Sequence, residues 1–116
     1  VDHAALLARL KGLLEDGEMD VFSDLQPVWA EPQQDWIQRV FEICKPILGE
    51  VPTTKTATYM TDAANLRKAY GPVPTVILGP GEAAMAHQTD EYCSVERTRQ
   101  SVAIYEALVE DWCLRK

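Results

Sequence analysis

The run Val76-Ile77-Leu78-Gly79-Pro80-Gly81 restricts the fold more than any other part of this 116-residue chain. Three adjacent apolar residues suit a short strand covered on both faces. Gly79-Pro80-Gly81 then stops the strand, because proline cannot donate to a ladder and glycine opens conformations closed to other residues. Just beyond it come His87, Asp90 and Glu91. Polar groups gathered past the end of a buried strand are the usual address of a site in an α/β protein. A buried strand needs neighbours, so the expectation is an α/β fold with helices packed on a small sheet.

The remaining elements can be placed around that strand. Asp2 suits an N-cap, and Leu6, Leu7, Leu10, Leu13 and Leu14 follow at helical spacing up to Gly17, forming an expected core stripe. Residues 18–25 alternate apolar and polar, which reads as a half-exposed strand. Pro27 and Pro32 bracket an extended connector. Trp36, Val40, Ile43, Cys44 and Ile47 share one face of a second helix, whose last turn Pro46 should kink or shorten. Residues 53–59, rich in β-branched side chains, read as another strand. Thr61 or Asp62 can cap a short helix ending near Gly71. Ser94 caps the longest helix, for which Val95, Val102, Tyr105, Leu108, Val109 and Trp112 form the expected buried stripe and Asp111 part of the solvated face.

Charge narrows the partners. A net charge of −7 and a pI near 4.7 argue against a surface for phosphate backbones or anionic lipid. No apolar run approaches the roughly 18 residues of a membrane span, and no leader pattern opens the chain. A soluble, cytoplasmic protein without nucleic-acid or membrane partners is expected. Cys44, Cys93 and Cys113 are odd in number and lack Cys-x-x-Cys pairing, which suits reduced thiols. Val1 is not an initiator methionine and a helix starts almost at once, which suggests a piece of something longer.

His87 with Asp90 and Glu91 is the only cluster of several ligand-type side chains within a few residues. A neutral imidazole can bind zinc through one nitrogen while the other donates to a carboxylate. On composition alone, a lone loop histidine is more often a surface or satisfied residue.

Three segments in order carry a specific resemblance: Thr61-Asp62-Ala63, then Pro74-Thr75-Val76-Ile77-Leu78-Gly79-Pro80-Gly81, then Ala86-His87-Gln88-Thr89-Asp90-Glu91-Tyr92. Together they resemble the C-terminal end of the M20 zinc metallopeptidases and amidohydrolases, in wording closest to the acetylornithine deacetylase and succinyl-diaminopimelate desuccinylase type. The resemblance implies a C-terminal fragment. Residues 1–25 would be the last helix and strand of a lid or dimerisation domain, 26–32 the linker, and 33–116 the C-terminal part of the catalytic α/β domain. It implies that His87 is one ligand of a two-metal centre, usually zinc, with cobalt or manganese as alternatives, and that the fragment alone binds metal weakly. Asp90 and Glu91 would support that ligand. Gly79, Pro80, Gly81, Thr61 and Asp62 would line the substrate. Some members place an arginine just after the Thr-Asp pair for the substrate carboxylate; here Ala64 and Asn65 stand there. The implied reaction is hydrolysis of the amide of an N-acyl amino acid or small peptide, in a homodimeric parent enzyme. No His-x-Asp or Glu-Glu pair occurs in the chain, so no catalytic residue is expected within it. The alternative is a non-catalytic binding or assembly module that keeps the fold.

Overall fold

The computed structural model describes residues 2–115, and its regular elements are all helical. Helix α1 spans His3–Gly12, α2 Asp35–Leu48, α3 Ala63–Tyr70 and α4 Val95–Leu114, with a single 3-10 turn at Ala83–Met85. The expected small sheet is absent: among the described residues there is no strand. Residues 18–25, 53–59 and 76–78 lie outside the helices without a ladder partner. A β-strand exists only through hydrogen bonds to a neighbouring strand, and none of these three segments offers them to another. Side-chain pattern had supplied the propensity; pairing is what is missing. The helix-plus-strand unit expected at 1–25 is accordingly a helix alone.

The helix termini follow local chemistry. Asp2 caps α1, its carboxylate accepting from the Ala5 N–H at 3.0 Å. That helix closes at Gly12, well before Gly17, with the Leu13 N–H reaching the Leu10 carbonyl at 3.1 Å. Ser94 caps α4 with a long bond from the Arg97 N–H at 3.4 Å, and Glu96 lies in its first turn, favourable to the dipole. Pro46 does not cut α2 short; the helix continues to Leu48 and ends on Gly49 in the left-handed region, φ 80°. So near the C-terminus the missing proline N–H removes a single bond.

Only α2 and α4 pack on one another among the described helices. Their contact holds the core: Val40, Cys44 and Ile104 are buried, with Ile37 and Ile43 beside them on α2. Trp36, Ile47, Leu108, Val76 and Leu78 pack around it. Trp36 meets Trp112 edge to face, ring centroids 5.2 Å apart. The α2 stripe is where its spacing puts it. On α4 the buried line is Ser101 and Ile104, then half-buried Leu108 and Asp111; Val95, Val102, Tyr105, Val109 and Trp112 are exposed.

Asp111 enters that line as a charged residue because Arg39 meets it. Arg39 Nε and Nη2 donate to one carboxylate oxygen at 2.9 and 2.5 Å. This hydrogen bond, against desolvation and with help from the Arg115 and Arg39 charges, holds the Asp111 carboxyl below the usual carboxylate range. Burial pushes the Cys44 thiol up.

Elsewhere the chain is open. Its radius of gyration is 18.5 Å, against about 13 Å for a compact chain of 100 residues. The leucines of α1 and just beyond it form no core: Leu6, Leu10, Leu13 and Leu14 are exposed, and Phe22 is 96% exposed. A hydrogen bond between His3 Nδ1 and the Asp24 carboxylate ties the following segment to the start of α1, and Arg67 of α3 donates to the Trp29 carbonyl at 3.0 Å. No described helix is long and apolar enough to cross a membrane.

Candidate functional site

The site loop hangs from the α2–α4 pair. Val76 and Leu78 are half-buried against the core while Ile77 between them is 51% exposed, so this segment is covered on one side, not two. Tyr105 of α4 donates its hydroxyl to the Leu78 carbonyl at 2.9 Å. The chain then bends at Pro80 and Gly81. On the far side of the bend, Glu82 pairs with Arg97 of α4 at 3.3 Å. The Met85 N–H closes the next turn on the Glu82 carbonyl at 2.9 Å.

Neither Gly79 nor Gly81 has a positive φ. A Cβ on Gly81 would meet nothing within 4 Å, and one on Gly79 only the Tyr105 hydroxyl at 3.9 Å. Backbone geometry and packing within this chain therefore tolerate side chains at both positions. Glycine there leaves room for something outside the chain to approach the backbone.

His87 and Asp90 are the only described non-glycine residues with positive φ, at 62° and 63°. Each such conformation costs about 1–2 kcal/mol, although Asp and His tolerate it better than most residues. The His87 N–H donates to Glu91 Oε2 at 3.2 Å, and the Glu91 N–H to the Gln88 carbonyl at 3.2 Å. Glu91 thus braces the turn through the histidine's backbone. Residues 86–91 are all exposed.

Structure brings part of the expected set together. Gly79, Pro80, Gly81, His87, Asp90 and Glu91 share one loop braced against α4. Thr61 and Asp62 sit at the start of α3, where the Thr61 hydroxyl accepts from the Ala63 N–H at 3.3 Å and Asp62 makes no side-chain cap bond. Among the described residues no hydrogen bond or ion pair joins them to the loop. Beside α3 a cleft of about 230 Å³ is lined by Asp24, Leu25, Gln26, Ala64, Arg67 and Lys68.

A metal centre does not fit these residues on their own. No three His, Cys, Asp or Glu side chains converge among the described residues, and a catalytic zinc takes about three protein ligands. Sequence reasoning missed Glu82, Arg97 and the Tyr105 hydroxyl as the loop's anchors, and Arg39 with Asp111 as the polar clasp beneath. A tyrosine among the apolar positions of α4 carried the only hint, since its polar tip requires a partner.

The model of the Peptidase family M20/M25/M40 matches residues 12–111, and the chain belongs to this family. Acetylornithine deacetylase of Pasteurella multocida (strain Pm70) is 31% identical over 75 residues, 65% of this chain and 18% of that protein. The acetylornithine deacetylase of Photorhabdus laumondii subsp. laumondii is 29% identical over 76 residues, 66% of this chain. That of Vibrio cholerae serotype O1 (strain ATCC 39315 / El Tor Inaba N16961) is 30% identical over 78 residues, 67% of this chain. The matched segment spans only 18% of the length of each relative. No solved structure matches.

Proposed function

We propose that this chain is the C-terminal part of an M20-type amidohydrolase that cleaves the amide of N-acyl amino acids or small peptides, as the names of its relatives suggest. Residues 1–25 are then the end of a lid or dimerisation domain, 26–32 the linker, and 33–116 the end of the catalytic domain. One observation carries the site reading. His87 stands exposed on a loop whose two left-handed residues are His87 itself and Asp90, and such conformations gather where function over-determines the backbone.

In this reading His87 gives one ligand to a zinc centre whose other ligands lie outside these 116 residues, and the chain alone neither holds the metal tightly nor catalyses. Asp90 and Glu91 fix the turn that presents the imidazole. Gly79-Pro80-Gly81 offers its uncluttered backbone to the substrate's carboxylate or amide oxygen, and Thr61 with Asp62 belongs to the pocket wall of the complete enzyme. The exposed apolar residues of α1 suit a homodimer of the parent enzyme. Three free cysteines suit the reducing cytoplasm.

The test is His87→Ala in the full-length protein. Hydrolysis of N-acetyl amino acids falls about a hundredfold or more, zinc content falls with it, and the circular dichroism spectrum is unchanged. Near-normal turnover with unchanged zinc removes His87 from the centre. A full-length protein that hydrolyses no N-acyl amino acid or dipeptide instead favours a non-catalytic assembly module.

A further inference from the structure

The loop that carries Gly79-Pro80-Gly81 is held by α4 on both sides of its bend. Before the bend, the Tyr105 hydroxyl donates to the Leu78 carbonyl at 2.9 Å. After it, Arg97 pairs with Glu82 at 3.3 Å. The two anchors differ in kind. Arg97 and Glu82 both have half-exposed side chains, and such pairs contribute little. Tyr105 reaches across 27 residues of sequence to a backbone carbonyl, and its ring position on α4 is set by the helix that packs against α2. Between the anchors, a Cβ on Gly81 would meet no described atom within 4 Å, and one on Gly79 would meet only the Tyr105 hydroxyl at 3.9 Å.

We propose that Tyr105 is a positioning residue, with Arg97 as its weaker companion, that fixes the height of the Gly79-Pro80-Gly81 backbone above α4 and so sets affinity for the substrate. The inference rests on the proposed role of that loop in substrate binding. Tyr105 touches no reacting atom; it acts through the Leu78 carbonyl, one residue before the glycine. Losing its hydroxyl leaves the ring and the helix in place and frees the loop to sample other heights. Substrate binding then includes the cost of ordering the loop again, which enters KM and not the chemical step.

Tyr105→Phe in the full-length protein tests this, because it removes the donor and keeps the ring. For hydrolysis of an N-acetyl amino acid, KM rises about three- to tenfold, the scale of one neutral hydrogen bond, while kcat stays within about twofold. Hydrogen exchange of the peptide spanning 79–86, whose Met85 amide is bonded to the Glu82 carbonyl, quickens by a similar factor. Arg97→Gln moves both readouts in the same direction by less. A tyrosine that only packs leaves Tyr105→Phe like the native protein in KM and exchange, and that result overturns the proposal. So does a fall in kcat at constant KM. Should the native full-length protein hydrolyse no such substrate, the function reading fails, and the exchange rate still decides whether Tyr105 tethers the loop.

Discussion

Helices α1 and α2 both carry apolar residues at helical spacing, gathered far more sharply on one face in α2, and they end in opposite situations. In α2 the stripe meets α4 and the segment around Val76, and Ile37, Val40, Ile43 and Cys44 are buried. In α1 none of the residues is buried; Leu6 and Leu10 face solvent, as do Leu13 and Leu14 just past its end. The difference lies in pattern as well as supply. An amphipathic stripe states a demand for cover, and helical stability comes mostly from meeting it. α4 answers the demand of α2 within the chain; nothing among the described residues answers that of α1. Local signals still suffice to start α1, whose Asp2 cap satisfies one of the open N–H groups.

The contrast is most exposed to test at Ile104, where α4 enters the core. Ile104→Ala leaves a cavity beside Val40 and Cys44 and lowers the stability of the 116-residue chain by about 2–5 kcal/mol in urea denaturation. Leu10→Ala in the same chain is the control. A loss at Ile104 no larger than that at Leu10 would break the distinction between the two regions.

How much of this could be read beforehand divides along the same line. The α2 face and the Asp2 and Ser94 caps were legible, because caps and stripes are local in sequence. The family was legible from motif wording, whereas the contacts of Tyr105 with Leu78 and of Arg97 with Glu82, which tie the Gly79-Pro80-Gly81 bend to α4, were not. The sheet was not there to be found. Val76-Ile77-Leu78 has strand propensity, but a ladder depends on a partner, and propensity does not report whether one is present. The α4 stripe misled for a related reason: with one partner helix, only the line through Ser101 and Ile104 is covered, and Val102, Val109 and Trp112 remain outside. Asp111 was assigned to solvent because its partner Arg39 lies 72 residues away, a separation no local pattern spans.

That pair gives the next test. Arg39 holds the Asp111 carboxyl below its usual range, chiefly by hydrogen bonding. A carboxyl depressed in the folded state stabilises fully above the unfolded-state value, near 4, and that contribution is lost as pH falls through the lowered folded value. Asp111→Asn therefore lowers the urea midpoint at neutral pH and flattens the acid limb of its pH profile, by less than Ile104→Ala costs. An unchanged acid limb would mean that the clasp between α2 and α4 contributes nothing. Its second oxygen has no hydrogen-bond partner and only an exposed Arg115 at 3.5 Å, one reason to expect a modest effect, since a weakly met acceptor offsets part of the gain.

The smallest effect belongs to the open region, and it sharpens the comparison most when measured twice. Phe22 is 96% exposed, so in the 116-residue chain Phe22→Ser removes almost no buried area. Its stability change stays within about 0.5 kcal/mol, as for surface substitutions in general. Under the proposed function, a longer parent protein would supply cover for α1 and its following segment. With such cover the same substitution would uncover a ring taken out of water, and hydrogen exchange of residues 3–25 would quicken relative to residues 95–114. Equal insensitivity in both proteins would show that α1 and Phe22 have no partner anywhere, and the difference between the two regions would then be a property of the sequence and not of its missing surroundings.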